Sequence, residues 1–184
     1  RGVFIMTCIV GMVYEDVVYI GGERGTSDDD IILSMSAPKV RQRGQWVYGY
    51  AGSIGIGQLL DITPLPVLEE DDDVFFILRT TVVEELKDII DKYSEPQSER
   101  DTSWLIGARG RLFEINHTDW SVVEVHHTAI GSGGSYALGS LYTTQDLESV
   151  PLYRIDMALN AAIEYSPTCL APKDIVSFDI TIPE

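Results

Sequence analysis

The 184-residue chain is poor in the groups that most often announce a mechanism. It has two cysteines, Cys8 and Cys169, and three histidines, His117, His126 and His127. Two cysteines cannot build the disulfide framework of a small secreted domain; they read as a reducing compartment, with one bridge between distant segments left open. No pair of these residues has the CxxC or HxxxH spacing of a metal site, and adjacent His126 and His127 on a strand would point to opposite faces. Sheet-surface histidines and no metal are therefore expected. No apolar run approaches the ~20 residues of a bilayer span. The stretch from Arg1 to Val10, with one basic residue and no small-residue cleavage site, is not a secretion signal. Cationic side chains are scarce as well: 13 Lys and Arg stand against 29 Asp and Glu, a formal net charge of −16. Such a surface repels phosphate backbones and anionic headgroups, which disfavours nucleic-acid and membrane partners. The default expectation is a cytoplasmic protein.

The familiar catalytic templates are missing too. There is no Gly-x-Ser-x-Gly elbow, because Gly131-Ser132-Gly133 has its glycines one residue too close. The run Gly131 to Gly134 lacks the Gly-Lys-Ser/Thr ending of a P-loop and the dinucleotide spacing, so no cofactor is implied. It reads instead as a tight strand-to-helix turn with exposed backbone N–H groups, which can serve an oxyanion as well as a fold.

What is present is enough for one domain. A hydrophobic content of 45% at this length allows roughly 70% of the extended surface to be buried without a disulfide or metal. Thr7 to Tyr14 and Val17 to Ile20, apolar and β-branched around a turn at Glu15-Asp16, predict a hairpin. Ser27 to Asp30 reads as a polar excursion. Lys39 to Arg43 and Trp46 to Ala51 predict a second hairpin, and Pro64 and Pro66 break the next segment. The acidic run Glu69 to Asp73 lacks the central glycine of a calcium loop; it reads as a helix start, with carboxylates at the positive end of the macrodipole. The stripe Phe75, Leu78, Val82, Leu86, Ile89 and Tyr93 continues that helix. Ser94 to Asp101 reads as a loop, and Trp104–Ala108, Leu112–Ile115 and Val122–His126 as a meander. A helix over Tyr136–Tyr142 comes next, then one opened by Pro151 with Leu152, Ile155, Leu159, Ala162 and Ile163 on one face. A last strand is predicted over Ile175–Ile182. Strands arriving in hairpins suit two packed sheets covered by helices better than a doubly wound parallel sheet.

Five blocks in order carry a resemblance. They are Thr7-Cys8-Ile9-Val10-Gly11; Val17 to Arg24; Lys39-Val40; Gly49-Tyr50-Ala51-Gly52-Ser53; and Ala129-Ile130-Gly131-Ser132-Gly133 before Tyr136-Ala137. From Thr7 to about Ser177 the chain resembles the catalytic β-subunit family of the proteasome, on the side of the bacterial relative that pairs with a ring ATPase. The resemblance implies an α+β fold, the four-layer αββα sandwich of the N-terminal nucleophile hydrolases, as a single domain over residues 7–184. Residues 1–6 would be a leader, propeptide or added extension; the first methionine is Met6.

The same resemblance implies a threonine peptidase. Its nucleophile is the hydroxyl of Thr7 and its base that residue's own α-amine, which titrates near 7.7–8.0 and needs no histidine. Lys39 matches the family's lysine and Glu23 its acid, more often Asp, so the ion pair is expected with altered geometry. Gly49 matches the oxyanion-hole glycine and Ser132 the serine beside the nucleophile. Ser166 and Cys169 stand where the family often has an acid and a hydroxyl that orient the amine, a departure at both. Ser27 and Val47 are candidates for contacting substrate. The implied partners are other copies in a ring, an ATP-driven unfoldase and polypeptide substrates. The rival readings are a non-catalytic ring subunit of the same fold and an N-terminal nucleophile amidase acting on small amides.

Overall fold

The computed structural model describes residues 7–28, 31–93, 101–147 and 150–179, with the side chains of Ser27, Asp28 and Ile31 set aside. The first hairpin joins β1 (Ile9–Tyr14) to β2 (Val17–Glu23) through Glu15 and Asp16, both at positive φ. Such a turn matches the right-handed twist of the flanking strands. Period-two alternation in β1 then splits its side chains between two interiors. Cys8, Val10 and Met12 fall in one apolar cluster and Ile9 and Val13 in another.

Two sheets result. The first has the order β10-β1-β2-β11, with β10 spanning His127–Ile130 and β11 Lys173–Phe178; the second runs β5-β6-β7-β8-β9, over Val40–Arg43, Trp46–Gly52, Thr102–Ala108, Arg111–Asn116 and Val122–Val125. Between the sheets lie Ile9, Val18, Ile20, Val40, Val47, Ala51, Leu105, Leu112 and Ile130. Gly11, Gly22, Gly49 and Gly107 also stand there: a Cβ on any of them would meet a side chain of the facing sheet or a neighbouring strand within 3 Å. Missing side chains at these positions let the sheets approach closely.

Helices close both outer faces. Helices α4 (Gly134–Thr143) and α5 (Pro151–Tyr165) cover the first sheet through Ala137, Leu141, Ile155, Ala158, Leu159 and Ala162. The second is covered by α1 (Ile54–Gly57) and by α2 (Val74–Ile77), which passes through a π-turn (Leu78–Val82) into α3 (Val83–Tyr93). This is the αββα sandwich. Asp73, the last residue of the acidic run, caps α2 by accepting from the N–H groups of Phe75 and Phe76 at 3.0 and 3.4 Å, which bears out that run as a helix start.

Several expectations shift. The π-turn inserts an extra residue and rotates the downstream helix by about 100°. The buried face is therefore Val74, Leu78, Val82, Val83, Leu86 and Ile90, while Phe75 and Tyr93 are exposed. Of the polar excursion, Ser27 and Asp28 belong to β3 (Gly25–Asp28), which pairs with β4 (Ile31–Ser34) so that Gly25 stands opposite Ser34, while residues 29 and 30 lie outside the described ones. The strand expected over Val122–His126 is β9, which ends one residue early at Val125; from His127 the chain pairs with β1 in the other sheet, a strand the sequence does not single out. The last strand starts two residues early, where Lys173 pairs with Glu23, and residues 180–182 lie outside the described ones, as do residues 94–100 of the expected loop. Leu152 is exposed rather than on the core face of α5. His117 is not a surface residue; it is buried edge-on against Trp104 and Trp120. No described helix is long and apolar enough to cross a membrane.

Candidate active site

Strand β1 delivers Thr7 to the end of the cleft between the sheets, where it is 2% exposed. Its backbone is clamped by the glycine turn after β10: the Gly133 N–H donates to the Thr7 carbonyl at 3.2 Å, and the Ser132 hydroxyl lies 3.4 Å from the same oxygen. Gly131 sits so close, at φ +88°, that a Cβ there would stand 2.2 Å from the Thr7 oxygen. Only glycine fits both that conformation and that contact.

Beneath the Thr7 side chain lies a buried ion pair. Lys39, the residue before β5, donates from Nζ to Thr7 Oγ1 at 2.7 Å, to Glu23 Oε1 at 2.9 Å and to the Gly25 carbonyl. An ammonium has three donors, and the threonine hydroxyl, the carboxylate and a carbonyl oxygen all accept from this one. Glu23, at the end of β2, accepts in addition from the N–H groups of Cys8 at 3.2 Å, Leu170 at 2.8 Å and Gly25. Both side chains are fully buried. Burial pushes the Lys39 pKa down, and the neighbouring carboxylate works against that shift. The carboxylate, held by backbone donors from three segments, fixes the ammonium under the threonine hydroxyl. An ammonium so placed can stabilise negative charge on Oγ1.

A line of hydroxyls lies on the other side. The Thr7 N–H donates to Ser132 Oγ at 3.3 Å; Ser132 Oγ is 2.6 Å from Thr168 Oγ1, which is 2.8 Å from Ser166 Oγ. Ser166 caps α5, its N–H donating to the Ala162 carbonyl at 2.9 Å. The buried thiols of Cys8 and Cys169 complete the surroundings, both pushed by burial above the ordinary thiol pKa.

No protein-family model and no curated protein matches the chain. Solved structures do. Thiobacillus denitrificans BPH in complex with epoxomicin is 20% identical, with a TM-score of 0.77 over 95% of this chain and 99% of that one. HslV from Trypanosoma brucei is 18% identical, with a TM-score of 0.66 over 93% and 98%. Anbu from Pseudomonas aeruginosa, solved as a helical assembly, is 15% identical, with a TM-score of 0.74 over 94% and 81%. The chain has their fold. The α+β sandwich expected from the sequence is thus the architecture of proteasome-related proteins.

Within that fold, Thr7, Glu23, Lys39 and Ser132, scattered over 125 positions, meet in one hydrogen-bonded cluster. Ser166 and Cys169 lie beside it. Gly49 sits in β6 opposite Val40, and a Cβ on it would meet Val40 at 2.9 Å and Ile9 at 3.0 Å, so it lies between the strands that carry lysine and threonine. Val47 is fully buried in the inter-sheet cluster and presents no open surface; the Ser27 side chain lies outside the described residues. Thr168 is the member of the cluster that the sequence does not single out. Its signal there is faint: a third hydroxyl residue beside Ser166 and Pro167, in a loop whose path only the fold defines.

Proposed function

We propose that the chain is a threonine-type endopeptidase, active once Thr7 is N-terminal. The observation that carries this reading is the buried Lys39–Glu23 pair with its ammonium 2.7 Å from Thr7 Oγ1. As a free amine, the Thr7 nitrogen takes the proton from Oγ1 while the oxygen attacks the scissile carbonyl. Lys39 steadies the oxygen as it loses the proton, and the Gly49 N–H is assigned to the oxyanion that forms on the substrate carbonyl. Collapse of that adduct breaks the C–N bond. The amine product leaves with the proton held by the Thr7 ammonium, and the acyl group stays on Oγ1. Water, deprotonated by the same amine, then hydrolyses the ester and frees Thr7. A family member of this kind works as rings of identical subunits on polypeptides fed by an ATP-driven unfoldase. Exposed Tyr136, Tyr142, Leu152 and Tyr153 on α4 and α5 support self-assembly.

Mass spectrometry of active material decides the question. The expected result is a chain starting at Thr7, modified there by a threonine-directed epoxyketone, with neither labelling nor peptide hydrolysis in Thr7→Ala. A fully active protein that retains residues before Thr7 overturns the mechanism. A ring that resists labelling points to the scaffold reading.

A further inference from the structure

We propose that Thr168 is a positioning residue for this chemistry, holding the Ser132 hydroxyl on the Thr7 nitrogen through a chain of neutral hydroxyls anchored at Ser166. The inference rests on the peptidase reading. Ser132 lies in an exposed turn, and a serine hydroxyl there can rotate among three staggered wells. Two contacts select the productive one: Thr7 itself, and Thr168 Oγ1 at 2.6 Å. Thr168 is suited to the task because a β-branched side chain is stiff at χ1.

Its backbone is equally constrained. The Leu170 N–H donates to Glu23, the Arg24 N–H lies 3.2 Å from the Leu170 carbonyl, and the Cys169 N–H donates to the Ser166 carbonyl at 3.2 Å. The loop that carries Thr168 is therefore tied to the carboxylate that orients Lys39. Each hydroxyl both donates and accepts, so the row Ser132–Thr168–Ser166 can run in either direction. In one direction Ser132 accepts from an ammonium, and in the other it donates to an amine. Those are the two states through which the base passes in each half of the reaction. The row meets both without a charged side chain of its own.

The test uses mature enzyme with Thr168→Val, which keeps the shape and loses the hydroxyl, and Thr168→Ser, which keeps the hydroxyl. Steady-state hydrolysis of a fluorogenic peptide is expected to show kcat lowered about tenfold in T168V with KM within about twofold. In T168S, kcat should be restored to within about threefold of the parent. Wild-type kcat in T168V, or equal losses in both variants, overturns the inference while leaving the peptidase reading intact. A parent enzyme that cleaves no peptide overturns both.

Discussion

Replacing Glu23 by Gln removes one charge and almost no volume, and the structure places the consequence at Lys39. The ammonium loses its carboxylate but stays enclosed, since neither side chain of the pair reaches solvent. The amide nitrogen of the new side chain must also face donors: Lys39 and Cys8 on one side, or Gly25 and Leu170 on the other. Breaking a buried pair from one side costs about 3–5 kcal/mol. For a domain of this size that is a fall in Tm of roughly 6–20 °C. The pH dependence has a definite sign. Burial already lowers the Lys39 pKa, and the Glu23 carboxylate opposes that shift most strongly, so the variant's lysine falls further. Between its folded pKa and the ordinary value near 10.4, the unfolded chain binds more protons than the folded one, and stability rises with pH. The E23Q deficit should therefore be largest at the acid end and narrow as the pH rises from about 6 to about 9. Calorimetry of parent and variant across that range measures it directly. A Tm at neutral pH within about 2 °C of the parent, or a deficit that widens with rising pH, would refute the reasoning.

Two further perturbations probe the opposite wall. Gly131→Ala forces a Cβ to 2.2 Å from the Thr7 carbonyl at φ +88°. The expected outcome is destabilisation of at least ~1–2 kcal/mol by thermal unfolding, with kcat down about tenfold or more because Thr7 must move; unchanged kcat would show that the clamp does not position the nucleophile. Ser166→Asp places a carboxylate at the far end of the hydroxyl row. The charged groups facing Thr7 are Lys39 and Glu23, and the neighbouring thiols of Cys8 and Cys169 are held protonated by burial. A new anion favours the ammonium form of Thr7, so the acid limb of the kcat/KM profile should move up by about one pH unit; a limb that stays put or moves down refutes the sign.

The difference between what could be read from the residues and what could not tracks the range of the interaction involved. The β1–β2 hairpin was legible because alternation and a two-residue turn are local. The meeting of Thr7, Glu23 and Lys39 rested on resemblance, since nothing local brings residue 39 under residue 7; that takes the closure of two sheets on glycines such as Gly22 and Gly49. Where the sequence misled, a local pattern was overridden from a distance. The helix after Asp73 carries a regular stripe, yet the π-turn at Leu78–Val82 rotates its second half, so Val83 and Ile90 bury in place of Ile89 and Tyr93. The strand His127–Ile130 went unread because the composition does not change where the chain leaves one sheet for the other after Val125. Thr168 escaped for the same reason. Its role depends on α5 ending at Ser166 and on the next loop returning to Glu23, and a hydroxyl in a loop has no periodicity to betray it. The hydroxyls next to the Thr7 nitrogen are carried by turns and loops, so substitutions in the loop from Ser166 to Leu170 should separate kcat from stability more cleanly than substitutions in β1 or β2, whose Ile9, Val10, Val18 and Ile20 are buried in the apolar clusters on either side of their sheet.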